Sequence, residues 1–139
     1  MLFPKKVKHR KWQTDRVNPK KLGVATRGVD VNFGSYGLKA TSAYRMTSNQ
    51  IESARKVISR TLGKTGRMWI RVFPDRPYTQ KAAEVPMGKG KGDPSGFCVE
   101  IKPGRVLFEV DGVTEEIAKE ALIKAGKKLP VSVRVVSRE

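Results

Sequence analysis

The residues best placed to do chemistry are two lysines set among glycines. From Val85 to Gly96 the chain reads Val85, Pro86, Met87, Gly88, Lys89, Gly90, Lys91, Gly92, Asp93, Pro94, Ser95, Gly96. Glycine or proline recurs at almost every second position, and no apolar run is long enough to make a strand or a helix face, so an exposed loop is expected. Glycine admits positive φ and lets the backbone approach a partner closely, while Lys89 and Lys91 supply cations along it, a combination suited to phosphate. A nucleotide-binding P-loop would need Gly-Lys followed by Ser or Thr, after a strand and before a helix. Here Gly92 stands where the hydroxyl residue belongs, and Asp93, Pro94 and a strand from Phe97 come next. Nucleotide hydrolysis is therefore not expected. His9 and Cys98 are the only residues of their types, which leaves no nucleophile and base pair and no metal-ligand set. The expectation is no enzyme, no cofactor, no metal and no small-molecule substrate.

The phosphate is then to be sought in a polymer. Over 139 residues, 29 Lys and Arg face 13 Asp and Glu, a net charge of +16 that repels itself unless a polyanion neutralises it. Residues 1–81 hold nineteen basic and four acidic side chains, whereas 82–139 hold ten and nine. The first part is expected to face nucleic acid. With its lone cysteine the chain suits a reducing compartment, and no run approaches the length of a membrane span, so a soluble intracellular protein without a membrane partner is expected.

Several elements must position these charges. Lys5, Lys6, Lys8, Arg10 and Lys11, with His9 among them and no acid, form a segment too polar to fold alone. It reads either as a solvated tail or as an arm that orders between phosphates. Trp12 has two readings, stacking on a base and packing on the domain. Two short strands are expected near 30–34 and 37–46, with Gly34 to Gly37 as a bulge or turn. Thr47 and Gln50 make a capping box, Met46 and Ile51 a hydrophobic staple, and Ile51, Ala54, Val57, Ile58 and Leu62 one apolar stripe of a helix ending at Gly63. Arg55, Lys56 and Arg60 fall on the other side, with Lys64 and Arg67 beyond. Met68 to Phe73 reads as a central strand, apolar on both faces. Phe97–Lys102 and Arg105–Val110 read as a hairpin turned at Pro103 and Gly104. A second helix opens at the Thr114 cap and runs to Pro130, with Ile117, Ala118, Ala121, Leu122 and Ala125 buried, and Val131, Val133 and Val135 form a last strand. The architecture predicted is α+β, two helices on a mixed, mostly antiparallel sheet in two layers. A basic extended arm (1–28) would precede a single domain (29–139) carrying a loop at about 77–96. On these residues alone, a general nucleic-acid-packaging or chaperone protein remains an alternative.

Taken together, several pieces resemble the bacterial-type large-subunit ribosomal protein L-sixteen family over nearly the whole chain. They are the Met1 to Trp12 opening; Phe33, Gly34, Ser35, Tyr36, Gly37, Leu38; Gln50, Ile51, Glu52, Ala54, Arg55; Trp69 to Asp75; Met87 to Gly92; and Pro103, Gly104 through Asp111, Gly112, Val113. The resemblance implies a structural constituent of the 50S subunit that binds 23S rRNA, touches A-site tRNA with P-site tRNA in reach, and helps order the peptidyl transferase region. It implies rRNA contacts from Lys5, Lys6, Lys8, His9, Arg10, Lys11, Arg55, Lys56, Arg60, Lys64 and Arg67. It also implies a tRNA-facing loop of Lys81, Met87, Gly88, Lys89, Gly90, Lys91 and Gly92. Neighbouring ribosomal proteins would be further partners, in the cytoplasm of a bacterium or inside an organelle with bacterial-type ribosomes. Pro86 stands where many bacterial members carry arginine, and residues 13–22 match the pattern poorly.

Overall fold

Five consecutive fully buried residues, Val106, Leu107, Phe108, Glu109 and Val110, mark the centre of the fold. A strand buried on both faces reads as a continuous apolar run, and here Glu109 is the one polar interruption. The computed structural model describes residues 2–12, 23–80, 88 and 90–138. Its elements are β1 (Tyr36–Ala40), β2 (Tyr44–Thr47), α1 (Ser48–Leu62), β3 (Arg67–Ile70), β4 (Arg76–Gln80), β5 (Asp93–Ile101), β6 (Val106–Asp111), α2 (Glu115–Gly126) and β7 (Val133–Ser137).

The class is α+β, as the sequence predicts. In place of one mixed sheet, however, the strands form a four-stranded sheet ordered β3-β6-β1-β7 and a three-stranded sheet ordered β2-β5-β4, with every described pairing antiparallel. The expected hairpin at Pro103 is where the sheets divide. Its turn forms: Gly104 has φ +99°, and Arg105 N–H donates to the Lys102 carbonyl at 3.3 Å. The strands on either side then part, β5 pairing with β2 and β4, and β6 with β1 and β3. Gly104 N–H and the Arg105 carbonyl instead bond the backbone of Ala40, at 2.7 and 2.8 Å.

Other expectations change for physical reasons. Met68 to Phe73 is shorter and forms the edge strand β3, because its second apolar face is covered by a loop rather than a sheet: Trp69 stacks on Phe33 with ring centroids 6.3 Å apart. That loop takes the place of the strand expected at 30–34. Pro77, read as a breaker, sits buried inside β4, an edge strand in which one missing N–H is tolerated. β5 begins at Asp93 within the glycine-rich stretch and pairs with β4 as far as Gln80, so both ends of the loop expected over 77–96 are strand, while residues 81–87 and 89 lie outside the described residues.

The helices follow the sequence closely. Thr47 caps α1, its N–H donating to Gln50 Oε1 at 2.9 Å, and Ile51, Ala54, Ile58 and Leu62 are buried. Burying such a stripe contributes about 1.5–3 kcal/mol for each large side chain. Thr114 caps α2, accepting from Ile117 N–H at 3.5 Å, and Ala118, Ala121, Leu122 and Ala125 are buried, whereas Ile117, expected in the same stripe, lies in the first turn and is exposed. The small alanines let α2 lie close against α1, and it also covers β1, β6 and β7. α2 ends at Gly126, well before Pro130. Among the described residues, no helix is long and apolar enough to cross a membrane.

Candidate nucleic-acid interface

The anchor of the surface is the buried carboxylate of Glu109. Its Oε1 accepts from the N–H groups of Phe33 and Gly34 at 2.8 and 3.0 Å, and its Oε2 pairs with Arg71 Nη1. Burial pushes this carboxyl's pKa up, but the Gly34 N–H, the Arg71 side chain and the Phe33 N–H outweigh it and hold it below the ordinary value. A buried charge is tolerated only with such partners. The network pins residues 33–34 over the outer face of β6, where a Cβ on Gly34 would lie 2.5 Å from the Val110 carbonyl oxygen, so nothing larger fits. Arg71 also lies 4.9 Å over the Phe33 ring. Arg71 and Arg105, whose Nη2 donates to the Arg71 carbonyl at 3.0 Å, are thus committed to the fold.

The cations of the opening segment are placed differently. Lys5, Lys6, Lys8, His9, Arg10 and Lys11 are all exposed, in a segment that is neither helix nor strand. Its start is held by Leu2, which packs against the core. Its far end is held by Trp12, whose ring lies 5.4 Å from the Arg76 guanidinium and whose carbonyl accepts from Lys91 Nζ.

On α1, Lys56 and Arg60 are exposed, as are Lys64 just after the helix and Arg67 at the start of β3. None of these four is in an ion pair among the described residues. Arg55, expected beside them, is engaged by Glu52: its Nε donates to Oε2 at 3.0 Å and its Nη2 pairs with Oε1, which lowers the Glu52 pKa and raises that of Arg55. Arg67 faces Asp111 across β3 and β6; the Ser35 hydroxyl and the Gly112 N–H, more than Arg67, hold the Asp111 pKa down. The contrast is α2, where Lys119 and Lys124 pair with Glu115 and Glu120 at 2.7 and 2.8 Å.

Of the loop residues, Lys81, Met87 and Lys89 lie outside the described residues. Gly88 and Gly90 have φ of +98° and +95°, the left-handed conformation that the glycines permit, with open space around both. Lys91 is exposed and turned to Trp12, which joins the base of the loop to the end of the basic segment.

Sequence reasoning missed Arg45 and Arg76. Both lie on the three-stranded sheet and share Glu100, Arg45 Nε at 3.4 Å and Arg76 through Nη1. Pro77 concealed the strand that carries Arg76, and the cross-strand partners only meet once β2, β4 and β5 are in register. No group of three His, Cys, Asp or Glu among the described residues could hold a metal. Cys98 is buried, which pushes its thiol pKa up.

This fold and surface define a class: a small, strongly basic α+β protein with exposed cations in no ion pair along its opening segment and about its first helix, and others at Lys102, Lys127, Lys128, Arg134 and Arg138. A profile of the family described as Ribosomal protein L16p/L10e matches residues 4–136. The chain is 52% identical over 139 residues to the large ribosomal subunit protein uL16 of Methylibium petroleiphilum, covering 100% of this chain and 98% of that one. It is likewise 52% identical over 138 residues to the uL16 of Halorhodospira halophila, covering 99% and 98%. The chain belongs to the Ribosomal protein L16p/L10e family.

Proposed function

We propose that the protein is a structural constituent of the large ribosomal subunit that anchors on ribosomal RNA and directs its glycine loop at tRNA near the peptidyl transferase region. The observation that carries this role is the placement of cations. Lys5, Lys6, Lys8, Arg10 and Lys11 of the opening segment, and Lys56, Arg60 and Lys64 about α1, are exposed and unpaired among the described residues, whereas α2 matches Lys119 and Lys124 with glutamates and leaves only Lys127 and Lys128, just past its end, exposed without an ion pair. Unpaired surface cations release counterions from a phosphate backbone when they bind it, and paired ones have already given up much of that attraction.

In this role the basic arm and the outer side of α1 hold rRNA, with Arg67 at its border. Arg55 contributes less, since Glu52 shares its charge. The loop, with Lys81, Met87, Lys89 and Lys91 and its glycines, serves tRNA in the A site, with the P site next to it. Pro86 leaves its tip less cationic than in many relatives. Neighbouring ribosomal proteins complete the contacts, in a bacterial cytoplasm or an organelle that keeps bacterial-type ribosomes. The role is assembly and positioning rather than catalysis.

Deleting residues 1–11 and following incorporation into 50S particles tests the anchor. The truncated chain is expected to keep a cooperative thermal transition, somewhat lowered by the loss of Leu2 from the core, and to fail to co-sediment stably. Normal incorporation would return the segment to a solvated tail and remove the main support for this role.

A further inference from the structure

Trp12 joins the arm to the three-stranded sheet in a way that the anchoring role does not use. The Arg76 guanidinium covers one face of its indole at 5.4 Å, while the residue stays 43% exposed. Arg76 is held in turn by Glu100, which also binds Arg45, and Lys91 fixes the backbone of Trp12 through its carbonyl. An aromatic ring backed by a cation and oriented from two sides is a rigid plate, ordered before any ligand arrives. Around it, among the described residues, these contacts gather three basic groups and a single carboxylate.

We propose that Trp12 is a stacking site for one unpaired base of RNA, its ring backed by Arg76 and with Lys91 beside it to meet a neighbouring phosphate. Every base offers a π face, so such a site accepts single-stranded RNA with little sequence preference. A duplex, whose bases are already stacked on each other, has nothing to offer the ring. The choice of RNA over an acidic protein segment follows from the ring: carboxylates would satisfy the cations and leave the indole uncovered. The site also lies where the arm meets the base of the loop, so a bound nucleotide would secure both. This inference rests on the rRNA-binding role proposed above and adds a particular subsite to it.

The test uses the full chain carrying Trp69→Phe, which keeps an aromatic ring against Phe33 and leaves Trp12 as the only source of indole emission. Titration with a uridine hexanucleotide is expected to quench that emission saturably, and inorganic tripolyphosphate is expected not to. Trp12→Ala, followed by a labelled hexanucleotide, should weaken binding roughly tenfold or more, the scale of one base stacked on an aromatic ring. Trp12→Phe should recover most of the loss. Absence of quenching, equal quenching by tripolyphosphate, or equal loss in the Phe and Ala variants would overturn the proposal. Filter binding to a large-subunit rRNA fragment separates the two levels: retained rRNA affinity without quenching removes the stacking site alone, while loss of both removes the parent role with it.

Discussion

Arg71 forms an ion pair with Glu109, a carboxylate fully buried in the central strand and 38 positions away in the chain. Removing one member of a buried pair strands the other's charge and costs about 3–5 kcal/mol. Arg71→Met is therefore expected to lower stability by about that amount in urea denaturation. The double change Arg71→Met with Glu109→Gln should recover part of it.

The same pair sets a pH dependence. The folded-state pKa of Glu109 lies below its ordinary value of 4.5, so its stabilisation is present above about that pH and is lost as pH falls through the lower folded value. The difference in Tm between the wild-type chain and Glu109→Gln should be large and constant near neutrality and shrink below about pH 4. A difference that held constant into acid would contradict the assignment.

Charge placement on the two helices predicts opposite outcomes. Replacing Lys56, Arg60 and Lys64 with Ala should reduce the slope of log K against log salt for rRNA binding by about 2–3, at roughly 0.7–0.9 for each phosphate no longer neutralised. Replacing Lys119 and Lys124 should leave it nearly unchanged, because Glu115 and Glu120 already pair with them. Equal effects from both sets would show that net charge alone governs binding.

Gln50→Ala removes the side chain that accepts from Thr47 N–H and closes the capping box of α1. A loss of about 1 kcal/mol is expected in chemical denaturation with no change in m, since the cap orders the helix end without altering how much surface the fold buries.

The helices were legible in the sequence because their signals are local. Thr47 with Gln50, and the stripe from Ile51 to Leu62, lie within a few turns of one another and need no distant partner. The division into two sheets was not legible, because Pro103 and Gly104 specify a turn and not where the strands go after it. That outcome depends on the backbone of Ala40, far earlier in the chain. Trp69 misled for the same reason: a ring covered by Phe33 looks in sequence like a ring covered by a neighbouring strand. The exposed cations of the arm and α1 could be read from composition and periodicity, but the Trp12, Arg76 and Lys91 junction joins three distant segments and leaves no periodic trace.

The pairing of β4 with β5 out to Gln80 and Asp93 bears on reach. Only residues 81–92 separate the two strand ends, and a chain extends at most about 3.5 Å per residue, so the covalent limit on how far any tip could reach from them is about 20 Å. Whatever the loop touches must come within that radius. On the proposed role, the seating of the arm and α1 on rRNA would therefore set which groups lie within range of the loop at all, whatever its own affinity.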